Sequence, residues 1–262
     1  MSATRMRALA TAALITIMTA AAASAQPATP PQPATPPPIA EFGTLPDAMI
    51  FYVAHGPPDS CGPGCADWIA AEGTIQFDTF KRLIAILDRQ SGRKLPVIIQ
   101  TRSQSNLSVA VSMGRILRDR GLDASIGRTL VDGCRDKSQG DCLALKRSGG
   151  PLEAKLDASR MLCENSCLLM LAGGVHRSLP PDTTVELVGM EIRNRLAPNV
   201  SAEHRAGLTT YYGEQARQYL REMGIDPGLL DIVDRNWADH KRPTEMPPAA
   251  WLKFGLVTSG AL

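Results

Sequence analysis

Six cysteines stand in three close pairs, Cys61/Cys65, Cys134/Cys142 and Cys163/Cys167, and their spacing is the plainest chemical signal in the chain. Neighbouring thiols serve as a structural disulfide, a redox couple or a soft-metal site. Cys61-Gly-Pro-Gly-Cys65 resembles the thioredoxin-type Cys-Gly-Pro-Cys with one residue added. The extra residue disturbs the geometry by which a two-residue spacer sets one thiol at a helix N-terminus, so a thiol-redox role stands behind a structural bridge. Copper binding by Cys61 and Cys65 would require a further His or Met ligand beside them, and no metal site is expected. Many pairings of six cysteines are conceivable. Local bridges are expected, because Cys134 and Cys142 bracket a polar excursion, Arg135 to Asp141, that apolar contacts cannot hold. Cys163 and Cys167 can close across a helix entry if their Cα atoms lie within about 7 Å. The four histidines, His55, His176, His204 and His240, stand apart from any nucleophile signature and read as surface or structural residues.

Disulfides need an oxidising compartment, and the N-terminus offers a route to one. Arg5 and Arg7 precede an uncharged stretch from Ala8 to Ala20, and Ala23-Ser24-Ala25 fits a small-residue cleavage site. Residues 1–25 are therefore expected to be a cleaved signal peptide, with the mature protein periplasmic and beginning at Gln26. The apolar stretch is shorter than the ~20 residues a membrane span needs, and no second one follows, so no span is expected in the mature chain. Residues 26–40 contain the near-repeat PATPPQPATPPP, poor in backbone donors and large apolar side chains, and read as an extended proline-rich spacer. The folded part is expected over residues 41–262.

Without Arg5 and Arg7 the 28 Lys+Arg fall to 26, equal to the 26 Asp+Glu. Arg102, Arg115, Arg118 and Arg120 are interleaved with Asp119 and Asp123 and form no basic run, which argues against nucleic acid as a partner. With 5% aromatic residues, the core must be filled by Leu, Ile, Val, Met and Ala.

Periodicity places these residues on alternating strands and helices. Met49–Ala54 and Leu95–Gln100 are short apolar runs bounded by turn residues and suit buried strands. Between them Phe77, Phe80, Ile84 and Leu87 recur at helical spacing, giving a strand, helix, strand unit. Leu107, Ala110, Val111, Gly114 and Leu117 mark a second helix that Gly121 closes before a strand around Leu122–Gly127. Val131–Pro151 reads as a polar excursion, and Leu168–Ala172 as a buried helix opening near Ser166. A strand over Val185–Met190, a helix from Ser201 to Met223 stopped by Gly224, and another beginning at Asp226-Pro227 complete the series. Such alternation predicts an α/β fold with a mostly parallel sheet.

Five strings, CGPGCADWIAAEGTI (Cys61–Ile75), KLPVIIQ (Lys94–Gln100), MGRILRDRGLDASIGRT (Met113–Thr129), CENSCLLMLAGGVHR (Cys163–Arg177) and ELVGMEI (Glu186–Ile192), carry a further signal. In that order they resemble periplasmic proteins related to the Clp protease proteolytic subunit, within the Clp-protease/crotonase superfamily. The resemblance spans about Ile50 to Thr258. It implies repeated β-β-α units with surrounding helices, a tendency to homo-oligomers, and, where active, serine hydrolysis with an oxyanion turn, a nucleophile at a helix N-terminus and a base.

Each of those three positions departs from the family's pattern. The turn after the strand, Arg102-Ser103-Gln104-Ser105-Asn106, lacks the glycines that let a backbone N–H approach a substrate carbonyl. Asn165 stands where the resemblance places the serine, and an amide is no nucleophile; Ser166 is displaced by one residue and otherwise reads as a helix N-cap. Glu191 replaces the histidine and would act as a base only with a raised pKa. Triad members act as a unit, so three departures predict a non-catalytic relative that binds a peptide, an acyl group or a protein partner without a cofactor. The alternative is an active hydrolase using Ser166 with Glu191.

Overall fold

A computed structural model describes residues 47–102, 104–189 and 200–258 of the chain. The expected signal peptide and spacer, Ser103 and Glu191 lie outside those residues. The first half runs β1 (Ile50–His55), β2 (Asp67–Gly73), α1 (Thr79–Arg89), β3 (Val97–Thr101), α2 (Leu107–Asp119), β4 (Ala124–Ile126), β5 (Arg128–Val131) and α3 (Gln139–Arg147). The second runs β6 (Leu152–Asp157), β7 (Leu162–Cys163), α4 (Asn165–Leu171), β8 (Thr184–Leu187), α5 (Ala202–Glu222), α6 (Gly228–His240), β9 (Thr244–Glu245) and α7 (Pro248–Lys253). Three β-β-α successions appear, ending in α1, α3 and α4.

The main sheet has six strands in the order β4-β3-β2-β1-β6-β5, and a smaller one has the order β7-β8-β9. In the main sheet β2–β3, β3–β4 and β1–β6 are parallel, while β1–β2 and β5–β6 are antiparallel. It is thus more mixed than the alternation predicts. One antiparallel pair comes from β2, whose Ala70-Ala71-Glu72 centre has weak strand propensity and hides a hairpin partner for β1, and the other from β5 and β6, which bracket the segment read as a polar excursion.

Successive residues of a strand face opposite ways, and here both faces are covered. Phe51, Val53, Ile69, Ala71, Val97 and Ile99 join the core with Leu83 and Ile86 of α1, Met113 and Leu117 of α2 and the apolar length of α4. Tyr52, Ala54, Trp68, Ala70 and Ile98 form a second core on the other face, with Leu143 and Leu145 of α3 packed against it. Helix α3 occupies the segment read as a polar excursion; Ser138 caps it by accepting from the Asp141 N–H at 3.2 Å. Helix α1 turns Leu83, Ile86 and Leu87 inward, whereas Phe77 precedes it and is 81% exposed.

Helices α2 and α4 meet backbone to backbone at Gly114 and Gly173. A Cβ on Gly173 would collide with the Gly114 main chain, and one on Gly114 would lie 2.8 Å from the Leu169 carbonyl. The Tyr219 hydroxyl of α5 seals this junction by donating to the same Leu169 oxygen at 2.7 Å. Burial holds that phenol far above its usual range. At the far end of α4, Arg118 and Arg177 both donate to the carbonyls of Ala172, Gly174 and Met223, placing two cations on the negative ends of α4 and α5.

Candidate functional site

The entry to α4 carries the residues that the resemblance singles out. The backbone of Glu164 is extended and its side chain makes no capping bond, so neither Asn165 nor Ser166 is the N-cap. Asn165 is instead the first helical residue and reaches sideways. Its Nδ2 donates to the Val188 carbonyl at 2.7 Å, and its Oδ1 accepts from the Val188 N–H at 2.9 Å. A primary amide offers a donor and an acceptor side by side, the pair that a strand residue presents, so Asn165 extends β8 by one side-chain rung. Ser166 turns inward with 5% of its surface exposed, beside Cys167 and Leu168. Beneath it Cys163 and Cys167 are joined, with Cα atoms 5.2 Å apart. The segment holding Glu191 lies outside the described residues.

The turn after β3 is held by bonds of its own. Arg102 N–H donates to the Gly73 carbonyl and Asn106 N–H to the Ile75 carbonyl. Ser105 Oγ accepts from the Ile75 N–H at 2.9 Å and donates to the Arg102 carbonyl at 2.7 Å. Asn106 caps α2 by accepting from the Val109 N–H at 3.1 Å. Gln104 adopts φ +66°, so the left-handed conformation a glycine would supply is present without one. Ser105 Oγ and the Asn106 N–H thus fix this loop to the β2–α1 connection. Arg102 lines a cavity of about 290 Å³ with Glu72, Gln100, Thr129 and Lys146. Neither Asn165 nor Ser166 lines it, and Glu72 is itself bonded to Lys146 at 2.5 Å.

A second cavity, of about 600 Å³, opens where β1 ends and β2, β3 and β4 begin. Its wall includes His55, Cys61, Cys65, Lys94, His176 and Arg177. His55 and Asp67 are register partners across the β1–β2 hairpin, with Nδ1 and Oδ1 2.5 Å apart, and Arg93 pairs with the other oxygen of Asp67. His176 repeats the arrangement with Asp123, at 2.8 Å. The hydrogen bond with Asp67 raises the His55 pKa above 6.5, and the same bond lowers that of Asp67. Arg177, only 3% exposed, is brought down to about 10 by burial and by the neighbouring Arg118.

Between β1 and β2 the chain makes a glycine loop closed by the Cys61–Cys65 bridge, with Cα atoms 5.1 Å apart. Gly62 and Gly64 have φ of +123° and +71°, which suit residues without a Cβ. Both sulfurs rest against the Asp67 carbonyl, at 3.6 and 3.5 Å. The third bridge joins Cys134 and Cys142, 5.0 Å apart at Cα, and ties the start of α3 to the turn before it. All three pairs are therefore local, and together they take up every cysteine of the chain. Joined sulfurs are not thiolate ligands, which removes the basis for copper binding by Cys61 and Cys65 in this state.

His55 and His176, expected as surface or structural residues apart from any nucleophile, both line one cavity, each against an aspartate. The available signal is the flanking of the Cys61–Cys65 loop by His55 and Asp67, which becomes a pair only once β2 is recognised. Among the described residues no helix is long and apolar enough to cross a membrane. No family model and no curated protein matches the sequence. Among solved structures, the chain is similar to a peptidase from Plasmodium falciparum, with TM-score 0.44, 8% identity, and 71% of this chain and 90% of that chain covered. It is likewise similar to a variant of ClpP1 from Listeria monocytogenes, with TM-score 0.43, 8% identity, and coverage of 81% of this chain and 89% of that chain.

Proposed function

We propose that this chain is an exported, disulfide-stabilised protein on a Clp-peptidase-like scaffold that binds a peptide, an acyl group or a protein partner and does not cleave it. The observation that carries the reading is Asn165, whose amide is engaged in two hydrogen bonds to Val188 at the position where the resemblance expects an attacking hydroxyl. A nucleophile must be free to leave its ground-state contacts and be activated by a base. Asn165 offers neither the hydroxyl nor the freedom, and Ser166 beside it faces the core. The bonded state of Ser105, whose hydroxyl is taken up in fixing the turn, favours the same reading.

Export rests on the signal-like residues 1–25 and is supported by three cysteine pairs that need oxidising surroundings. Self-association is part of the proposal through the resemblance alone.

A fluorophosphonate probe tests the central point, because it reports an activated hydroxyl beside an oxyanion hole whatever the natural substrate. Purified mature protein is expected to remain unlabelled. Labelling that disappears in Ser166→Ala would establish the hydrolase alternative, and labelling that persists in that variant would place a reactive hydroxyl elsewhere; either outcome overturns the proposal.

A further inference from the structure

We propose that the Cys61–Cys65 bridge is a thiol–disulfide exchange site, opened to protein or small-molecule dithiols by its cavity and served by the His55 imidazole. Four observations lead there. The bridge is partly exposed and lines the cavity of about 600 Å³, which gives an incoming thiolate a path to sulfur. It spans a loop of Gly62, Pro63 and Gly64 between two strands, so opening it leaves the hairpin ladder of β1 and β2 intact. Lys94 lines the same cavity, and Arg93 is paired with Asp67 of its wall, so positive charge stands nearby to stabilise a leaving thiolate. Finally, both sulfurs abut the backbone carbonyl of Asp67, and the carboxylate of that residue holds His55.

The exchange balances without any further reagent. One thiol of the incoming dithiol, deprotonated to solvent, attacks a sulfur of the bridge; a mixed disulfide forms, the Cys61–Cys65 bond breaks, and its electron pair passes to the departing cysteine. The His55 imidazolium protonates that sulfur. The second thiol of the dithiol then attacks the mixed disulfide and gives its proton back to the imidazole, while the last cysteine thiolate takes a proton from solvent. The dithiol is oxidised to a disulfide, and Cys61 and Cys65 are reduced to two thiols. Oxidation of the pair by an incoming disulfide follows the same steps in reverse.

The groups that set the pH response are those facing His55: Asp67 from β2, Arg93 beyond it, and Glu153 from β6. Lys94, Asp123, His176 and Arg177 form the rest of the charged wall. Because the hydrogen bond with Asp67 raises the His55 pKa, the protonated imidazole persists to higher pH than that of an isolated histidine. This activity is independent of the non-catalytic reading of α4, so either can fail alone.

The test uses the native, oxidised mature protein, limiting dithiothreitol, an alkylating quench and peptide mapping. Cys61 and Cys65 are expected to be alkylated at least about tenfold sooner than Cys134 and Cys142, with Cys163 and Cys167 unreacted while the fold persists. His55→Gln is expected to slow reduction of the first pair about tenfold near neutral pH and to flatten its pH profile, leaving the other two bridges unchanged. Reduction of Cys61–Cys65 no faster than Cys134–Cys142 would overturn the proposal, and so would a rate and pH profile unaltered by His55→Gln.

Discussion

Two bridges of the same Cys-x-x-x-Cys spacing meet opposite surroundings. Cys163–Cys167 lies at the start of the helix, its two residues 0% and 1% exposed, packed under Asn165 and Ser166. Cys61–Cys65 lies on the cavity wall shared with His176 and Arg177, which follow the end of the helix, in a loop reachable by solvent. Spacing alone therefore does not set the chemistry of a cysteine pair. Burial removes access and makes the first bridge part of the core, whereas cations, an imidazole and a glycine loop make the second a site at which a reaction can occur. The entry to α4 is held by structural bonds, and the titratable groups gather instead on the cavity at the end of β1 and the starts of β2 and β4.

The largest effect should come from the buried bridge. Loop closure alone assigns each of these short bridges about 2 kcal/mol. Replacing both Cys163 and Cys167 by alanine also empties a closed part of the core and is expected to cost about 4 kcal/mol in urea denaturation. The same double replacement at Cys61 and Cys65 should cost about 2 kcal/mol and leave the packing of the core unchanged. Equal losses would erase the distinction between the two regions. Next in size is Gly173→Ala, where the new Cβ meets the Gly114 main chain and not a movable side chain. A loss of about 3 kcal/mol is expected, read as a lowered thermal midpoint.

Asn165→Ala removes two hydrogen bonds from the Val188 backbone and should cost about 2 kcal/mol, without any change in reactivity toward serine probes. The smallest effect belongs to the exposed pair. Because the folded-state pKa of His55 is raised, its contribution is complete below the unfolded value and is lost as pH rises through the folded one. The Asp67 contribution has the opposite sense, being present above its unfolded value and lost as pH falls through its lowered folded value. Asp67→Asn is therefore expected to move the NMR titration midpoint of His55 downward, and to destabilise most between the ordinary carboxylate and imidazole pKa values. An unmoved midpoint would remove the coupling that distinguishes the cavity.

Much of the scaffold is legible in the sequence, for reasons that also explain what is not. Apolar runs such as Val97–Ile99, helix caps such as Ser201, which accepts from the His204 N–H, and stops such as Gly224 at φ +73° are local signals, and each element appears near its expected bounds. Strand β2 escapes such a reading because Ala70 and Ala71 are buried by their neighbours and not by their own propensity, and helix α3 because its mostly polar sequence packs through Leu143 and Leu145. Asn165 is legible as the wrong residue for attack, but its hold on Val188 joins positions 23 apart in sequence. The His55–Asp67 and His176–Asp123 pairs are hidden for the same reason: register and strand order, not spacing, bring them to one cavity.

The most direct test of the account is to restore the serine at the marked position and ask whether chemistry returns. Asn165→Ser places a hydroxyl at the start of α4 but severs the bonds to Val188 and supplies no base. The variant is expected to fold with reduced stability and to stay unlabelled by a fluorophosphonate probe. Robust labelling of Asn165→Ser, absent from the native protein and abolished by returning to Asn165, would show a complete catalytic apparatus awaiting one hydroxyl and would contradict the reading of this end as structural.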